Sequence, residues 1–234
     1  MPSELIRLPV ATECKIVRRV NRFAVEVSVD NTVEKAYINN TGRLIELLVS
    51  GRKCYCMPKK EGATRLRLIA IEERGAAALI DTSLQSKAFE KALEEKLLPW
   101  APCLVVARNP RLGSSVLDYL LECGKEVMYV ELKSAVLRDG DYAAYPDCPT
   151  QRGRRHIREL VKLVESGGKG TIVFIAALPG VRAFKPYVEG DPVIPALLKE
   201  AYMKGVEVHA ISMHYNPVTS TVFLDDPDLP VMLT

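Results

Sequence analysis

The spacing of hydrophobic and polar positions changes near residue 82, and this change divides the chain. Before it, short apolar runs alternate with polar residues at a period of two, as in Phe23–Val29, which is typical of β-strands. Further strands are predicted at Ala36–Ile38, Leu44–Val49, Lys53–Met57, Leu66–Ile71 and Ala76–Ile80. Several short strands separated by glycine-containing turns predict a small all-β barrel over residues 1–82.

Helical and strand patterns alternate after residue 82. Apolar residues at helical spacing predict helices at Ser86–Leu97, Gln151–Ser166 and Ile194–Lys204. Apolar runs predict strands at Cys103–Ala107, Val116–Leu121, Val127–Leu132, Thr171–Leu178, Val206–His214 and Thr221–Leu224. The polar segment Arg138–Pro149 is predicted to be a loop. Strands alternating with helices indicate an α/β domain over residues 83–234.

Composition limits the class of protein. The 234 residues are 48% hydrophobic and 26% charged, which is typical of globular proteins. No apolar run approaches the roughly 18 residues that a membrane-spanning helix needs. We therefore expect a cytoplasmic protein with no membrane partner. The six cysteines lack the C-x-x-C spacing of zinc sites, so we expect no zinc and mostly buried free thiols.

Charge is distributed unevenly along the chain. Residues 1–83 contain 14 Lys and Arg against 10 Asp and Glu, whereas the remainder contains 18 against 19. A basic excess on the predicted barrel is compatible with a polyanionic partner. The sequence leaves both a monomer and a homodimer open.

The clearest candidate for chemistry is an aspartate followed by a Glu-x-Lys triplet. Glu131 and Lys133 lie two residues apart in a predicted strand and therefore share one face. A hairpin turning at residues 122–126 would bring Asp118 beside them. Two carboxylates and an ammonium group suit Mg²⁺ binding and the positioning of a water against a phosphodiester. The alternative is a salt bridge on the protein surface.

The helix predicted at Gln151–Ser166 begins with a cluster of cationic side chains: Arg152, Arg154, Arg155, His156 and Arg158. A helix N-terminus with several arginines is suited to binding phosphate. Arginine there opposes the helix dipole, which also favours an anionic partner. The alternative is a solvated helix face on which Arg155 pairs with Glu159.

The segment Asn39-Asn40-Thr41-Gly42-Arg43 is a polar loop between predicted strands. Asn and Gly tolerate a positive φ angle, so the segment is suited to a simple turn. The functional alternative is that the amides and the Arg43 side chain contact the backbone of a ligand.

Several separated motifs in one order resemble the sugar fermentation stimulation protein A family. The N-terminal motifs are Arg22-Phe23, Glu26-Val27 and Asn40-Thr41-Gly42-Arg43-Leu44. The later motifs are Asp118-Tyr119-Leu120-Leu121, Glu131-Leu132-Lys133, Tyr145-Pro146-Asp147, Thr150-Gln151-Arg152-Gly153, His156-Ile157-Arg158-Glu159-Leu160 and Asp191-Pro192. The resemblance covers nearly the whole chain.

This resemblance implies an α/β protein with an all-β N-terminal part, namely an OB-fold-like barrel followed by a PD-(D/E)xK, restriction-endonuclease-like domain. It implies that Asp118 and Glu131 hold Mg²⁺ or Mn²⁺ together with the Leu132 carbonyl, and that Lys133 is the base that orients the attacking water. The candidate DNA-binding residues, taken from these motifs and from the cationic helix start, are Arg22, Asn40, Arg43, Arg152, Arg154, Arg155 and His156. Asn109 stands where the family has a further acid, which predicts weak metal binding.

We therefore expect a DNA-binding protein with a nuclease-like domain, and Mg²⁺-dependent phosphodiesterase activity on DNA is an open question. The first alternative is a non-catalytic DNA-binding regulator, in keeping with the regulation of sugar-metabolism genes in bacterial relatives. The second alternative is a protein that binds a small anionic ligand, although the sequence has no glycine-rich phosphate loop.

Overall fold

The computed structural model describes residues 2–59 and 61–233. The strands of the N-terminal part are β1 (Ser3–Arg7), β2 (Thr12–Asn21), β3 (Ala24–Val29), β4 (Thr32–Ile38), β5 (Lys53–Pro58), β6 (Leu66–Glu73) and β7 (Ala76–Leu79). Helix α1 (Thr82–Glu94) precedes β8 (Leu104–Arg108), β9 (Arg111–Leu112), β10 (Ser115–Val116), β11 (Tyr119–Cys123), β12 (Glu126–Ser134), β13 (Leu137–Asp139) and β14 (Tyr142–Tyr145). The remaining elements are α2 (Gln151–Glu165), β15 (Lys169–Ala176), β16 (Ala183–Pro186), α3 (Val193–Met203), β17 (Glu207–Asn216) and β18 (Thr221–Asp226). Within the described ranges, no helix combines the length and apolar character needed to cross a bilayer.

Five strands close into a barrel in the order β2-β3-β4-β6-β5-β2. The β4–β6 pairing is parallel and closes the barrel, and the other pairings are antiparallel. This order is that of an OB-fold. Alternate residues face inward, as Val25 and Val27 do on β3 and Ala36 and Ile38 do on β4, and all four are fully buried. The predicted barrel is therefore confirmed.

The second part of the chain extends the same sheet in the order β6-β7-β17-β15-β12-β11-β8. Strands β12, β15 and β17 are parallel to one another, and α2 packs on β15 and α3. The fold class, a mixed α/β domain after an all-β barrel, is confirmed. Strand β1 lies outside the barrel because it pairs with β18 of the second part. The division at residues 82 and 83 stays a prediction.

A buried carboxylate joins the barrel to the first helix. Asp81 is fully buried and caps α1 by accepting a hydrogen bond from the Leu84 N–H at 3.0 Å. The Arg67 guanidinium of β6 donates to both carboxylate oxygens of Asp81. Because this cap fixes the helix start, α1 begins four residues before the predicted Ser86.

The strand predicted at Leu44–Val49 is wrong. The segment forms turns, in which the Leu47 and Leu48 N–H groups donate to the Leu44 carbonyl at 3.1 and 2.8 Å. Leu44 and Leu47 enter the core at a spacing of three residues, whereas Ile45 stays exposed. Residues that enter the core three apart fit a helical turn and not a strand.

The loop predicted at Arg138–Pro149 is also wrong over its first part. It contains β13 and β14, which pair as a hairpin around Gly140, and β14 pairs in parallel with the unpredicted β16. The strand predicted at Val116–Leu121 is interrupted, because β10 ends at Val116 and β11 begins at Tyr119. Strands this short carry too few residues to show a periodic pattern.

Two cysteines that we expected to be free form a disulfide. Cys103 and Cys123 are joined because β8 and β11 pair antiparallel and bring them together across 20 residues of sequence. Cys14, Cys54 and Cys56 are buried free thiols, as expected, and Cys148 is partly buried. Disulfides are rare in reducing compartments, so the cytoplasmic location stays a prediction.

Candidate functional site

A cleft of about 370 Å³ lies between the barrel and the second part of the chain. The barrel side contributes Arg22, Asn39, Asn40, Thr41 and Gly42, and the opposite side contributes Asp118, Glu131, Leu132, Lys133, Tyr145 and Arg152. The structure thus brings the predicted carboxylates and lysine to the same cavity as two of the predicted DNA-binding arginines.

Asp118 lies beside strand β12 because β11 and β12 form a hairpin. Tyr119 pairs with Val130, and the Asp118 N–H donates to the Val130 carbonyl at 3.1 Å. The Asp118 Oδ2 atom accepts a hydrogen bond from the Leu132 N–H at 2.7 Å. Within a strand, the N–H and C=O groups of one residue point to the same side, so the Leu132 carbonyl also points toward Asp118. Asp118 precedes the first residue of β11, and no residue of β11 pairs with Leu132.

Glu131 is buried between the Lys133 ammonium group and the His156 imidazole ring. Its Oε1 atom lies 2.5 Å from the Lys133 Nζ atom and 2.6 Å from the His156 Nδ1 atom of α2. Burial alone would raise the pKa of Glu131, but the charge of Lys133 and the contact with His156 lower it. Glu131 correspondingly raises the pKa of the buried Lys133 and outweighs the desolvation of the ammonium group. Both side chains are therefore charged at neutral pH.

Arg152 orients His156 toward Glu131. Its Nε–H group donates to His156 Nε2 at 3.3 Å, and the other ring nitrogen, Nδ1, is the atom nearest Glu131. Glu131 Oε1 therefore faces both Lys133 and His156. Glu131 Oε2 is buried and has no hydrogen-bond partner among the described residues.

The environment also shifts the second carboxylate. Burial, followed by the nearby charge of Glu131, raises the pKa of Asp118 to about 6. Two carboxylates in one poorly solvated cleft are energetically unfavourable when both are ionised. A divalent cation between them would remove this penalty.

The donor set fits a hard divalent cation. The unpartnered Glu131 Oε2, the Asp118 carboxylate and the Leu132 carbonyl are oxygen atoms, which Mg²⁺, Mn²⁺ and Ca²⁺ prefer. Over residues 2–59 and 61–233, no group of three His, Cys, Asp or Glu side chains is arranged to hold a metal. Two carboxylates and one carbonyl would leave several positions to water, so we expect loose binding.

The predicted DNA-binding residues fall into two groups. Arg22, Arg43, Arg152 and Arg155 are exposed, and Arg22 and Arg152 line the cleft. Arg155 does not form the predicted ion pair with Glu159. The Glu159 carboxylate oxygen Oε1 instead lies 3.4 Å from the Lys162 Nζ atom. These four arginines remain available to an anionic ligand.

Three of the predicted DNA-binding residues have structural partners instead. The Arg154 guanidinium forms an ion pair with the fully buried Asp191, so it is unavailable to phosphate. His156 is 1% exposed and contacts Glu131, which contradicts the expected contact with phosphate. Asn40 is buried, and its amide donates to the Ile80 carbonyl at 3.0 Å and accepts from the Gly42 N–H.

Arg19 is a structurally important residue that the sequence pattern did not indicate. Its guanidinium donates to the carbonyls of both loops at the barrel side of the cleft: Asn21, Arg22, Asn40, Gly42 and Arg43. It thereby fixes the backbone that carries the Arg22 and Arg43 side chains. An arginine on an alternating strand looks like any exposed residue in the sequence, so no signal distinguishes it.

The raised pKa of Asp118 leads to a testable prediction about stability. The ordinary pKa is 3.8, so the folded protein binds this proton more tightly than the unfolded chain does. The tighter binding of this proton stabilises the folded protein fully below about pH 4, and the stabilisation is lost as the pH rises through 6. Asp118→Asn, which keeps an acceptor for Leu132, should therefore raise the free energy of unfolding by about 1–3 kcal/mol at pH 7.5. Urea denaturation in EDTA measures this gain, which should disappear near pH 4.

Asp191→Asn is the matched control. Burial would raise the pKa of Asp191, but hydrogen bonds from Arg154 and from the Thr150 and Val193 N–H groups lower it. This substitution should therefore destabilise the protein at pH 7.5. A loss of stability in Asp118→Asn at pH 7.5, or a gain that does not depend on pH, would contradict the account.

Comparisons with known proteins agree along nearly the whole chain. One family model, described as the SfsA N-terminal OB domain, matches residues 17–80, and another, the sugar fermentation stimulation protein RE domain, matches residues 83–219. The sugar fermentation stimulation protein homolog of Pyrococcus furiosus is 54% identical over 86% of this chain and 88% of the relative. The homolog of Archaeoglobus fulgidus is 45% identical over 98% of this chain and 100% of the relative.

A solved structure has the same fold. The structure of Pyrococcus furiosus SfsA in complex with Ca²⁺ superposes with a TM-score of 0.95 and 48% identity, covering 98% of this chain and 99% of that chain. The matched family models, the identities and this superposition confirm the resemblance in the sequence motifs. The chain belongs to the sugar fermentation stimulation protein family.

Proposed function

We propose that the protein binds DNA in the cleft and hydrolyses a phosphodiester bond with the help of a divalent cation. The observation that carries this proposal is the unpartnered, buried Oε2 atom of Glu131 beside the Asp118 carboxylate. The Pyrococcus furiosus relative, solved in complex with Ca²⁺, supports a divalent cation in this family. Mg²⁺ and Mn²⁺ are the cations we expect in the reaction.

Each residue at the site has a distinct task. Asp118, Glu131 and the Leu132 carbonyl would hold the cation, which when bound would neutralise phosphate charge and make its water more acidic. The Lys133 ammonium is fixed by Glu131 and would orient the attacking water or the scissile phosphate. Because its pKa is raised, Lys133 is protonated and is better suited to orient the water than to accept its proton.

DNA would be held from both sides of the cleft. Arg22 and Arg43 project from the barrel side, and Arg152 and Arg155 project from the first turns of α2. Contacts between arginines and phosphates position the backbone without reading its sequence. A cleft between two basic edges would therefore place a phosphodiester near Asp118 and Glu131 for many DNA sequences.

The second candidate is a DNA-binding protein that does not cleave. It is favoured by the small number of carboxylates, because Asn109 stands where a third acid is expected. Asn109 lies next to the site, since its backbone N–H donates to the Asp118 carbonyl at 2.9 Å. Under this alternative the same arginines bind DNA, and the carboxylates have only a structural role.

The proposed reaction predicts a specific pattern of DNA cleavage. Wild-type protein should cleave slowly with Mg²⁺ and faster with Mn²⁺, because Mg²⁺ demands near-ideal octahedral geometry and gives up its waters reluctantly at a site with few protein ligands. Glu131→Gln and Lys133→Ala should each lower the rate by about 100-fold or more, since Glu131 would hold the cation and Lys133 would orient the attacking water or the phosphate. The measurement is single-turnover cleavage of labelled DNA across titrations of both metals.

The chain provides a matched control in a second Glu-x-Lys triplet, Glu94-Glu95-Lys96, at the end of α1. Glu94→Gln removes an equivalent charge at an exposed position and should leave the rate unchanged. Cleavage that survives Glu131→Gln and Lys133→Ala would show that another site is responsible. DNA binding without cleavage under any metal would favour the second candidate.

Two arginines of α2 should differ in their effects. Arg155→Ala should weaken DNA binding and reduce the slope of log K against log salt by about 0.7–0.9, because one phosphate contact is lost. Arg152→Ala should do the same and also weaken binding of Mn²⁺, because it removes the donor that orients His156 toward Glu131. Fluorescence anisotropy and calorimetry measure the two affinities.

Arg7 of β1 is exposed and does not line the cleft, so Arg7→Ala is the control for loss of one positive charge. Its salt slope should match that of the wild type. An Arg155→Ala variant with altered preference among DNA sequences would contradict a phosphate contact.

A further inference from the structure

An aromatic side chain is exposed at the edge of the cleft. Phe23 is 53% exposed, at the tip of the two-residue turn that joins β2 to β3. Such tips usually carry small or polar residues, and an exposed phenylalanine gains nothing from burial there. Its neighbour in the turn, Arg22, lines the cleft that contains Asp118 and Glu131. Phe23 therefore adjoins the proposed DNA site.

The turn is held rigidly. The Phe23 N–H donates to the Asn21 side chain at 2.8 Å, and the Phe23 carbonyl accepts from the Ile38 N–H at 3.0 Å. Arg19 binds the Asn21 and Arg22 carbonyls at 3.0 and 3.1 Å. A fixed backbone at this turn lowers the conformational entropy that is lost when a ligand packs on the Phe23 ring.

A second aromatic ring lies on the adjacent strand. Tyr37 of β4 pairs with Ala24, the residue after Phe23, and it alternates with the buried Ala36 and Ile38. Its ring is therefore on the outer face of the barrel, where it is partly exposed. The Tyr37 hydroxyl donates to the Asn39 side chain, a cleft residue, at 3.2 Å.

Positive charge accompanies both rings. The Arg22 guanidinium lies 5.8 Å from the centre of the Phe23 ring, and the Lys59 ammonium lies 4.9 Å from the centre of the Tyr37 ring. Aromatic faces next to cations complement a ligand that is both flat and anionic. An unpaired nucleotide has this combination, whereas the bases of a duplex are already stacked on each other.

We propose that Phe23, supported by Tyr37, stacks the unpaired bases of a single-stranded DNA segment that leaves the cleft across the outer face of the barrel. This inference rests on the proposed function and adds the class of substrate: DNA with a single-stranded portion. The phosphates of that segment contact Arg22 and Lys59, and its backbone continues toward Asp118 and Glu131. Base stacking requires no particular base, so the site accepts many sequences.

The test compares the affinities of Phe23 variants for an oligo-dT of about 12 nucleotides and for a blunt duplex of equal length, with EDTA present. Phe23→Ala should weaken binding of the oligo-dT by about 5- to 100-fold and binding of the duplex by less than about two-fold. Phe23→Trp should retain the affinity for oligo-dT. The salt slope of Phe23→Ala should equal that of the wild type, because no charge is removed.

Tyr202 of α3 is 60% exposed and does not line the cleft, so Tyr202→Ala is the matched aromatic control and should bind as the wild type does. Equal affinity of Phe23→Ala and wild type for oligo-dT would overturn the stacking site, as would equal losses for both DNA forms. A wild-type dimer that Phe23→Ala converts to a monomer would also overturn it, since Phe23 would then contact a second copy of the chain. Wild-type protein that binds neither DNA form would overturn the proposed function as well.

Discussion

The buried carboxylate of Glu131 is the constraint on which the arrangement of the cleft depends. An unpaired charge in a protein interior costs several kcal/mol, so the surrounding residues must compensate it. Lys133 on the same strand face and His156 on α2 both approach a single oxygen, Oε1. Arg152 orients the histidine, and Oε2 is left without a partner. The compensation is therefore one-sided, and the remaining oxygen is left free to bind a cation.

The barrel and the second part of the chain share one sheet, and polar contacts between them fix the loops that border the cleft. The Leu44 N–H donates to the Asp147 carboxylate at 2.9 Å, and the Asn40 amide lies 3.3 Å from the Ser134 hydroxyl of β12. A Cβ atom at position 42 would lie 2.6 Å from the Asp147 carboxylate, so a larger residue there would displace the group that binds the Leu44 N–H. The loop that carries Arg43 is thus fixed next to the strand that carries Glu131 and Lys133, and both parts of the chain contribute to one surface.

Local patterns in the sequence predicted those parts of the site that are built from residues close together in the sequence. The period of two along a strand placed Glu131 and Lys133 on one face, and the turn at Gly124 placed Asp118 beside them. The burial of His156 beside Glu131 depends on how α2 packs across the sheet, and no local pattern records that packing. The same holds for Asp191, which lies 37 residues from Arg154 and removes it from the cleft surface. The disulfide likewise depends on strand pairing that became visible only in three dimensions.

We propose that the free oxygen of Glu131 and the Asp118 carboxylate form a site for a divalent cation. Soaking crystals of the protein in Mn²⁺ and recording anomalous diffraction tests it directly, because Mn²⁺ scatters anomalously and replaces Mg²⁺ at oxygen sites. We expect an anomalous peak between Glu131 Oε2 and Asp118, next to the Leu132 carbonyl, that is lost in Glu131→Gln. Saturating Mn²⁺ that gives no peak there, or a peak that persists in Glu131→Gln, would contradict it.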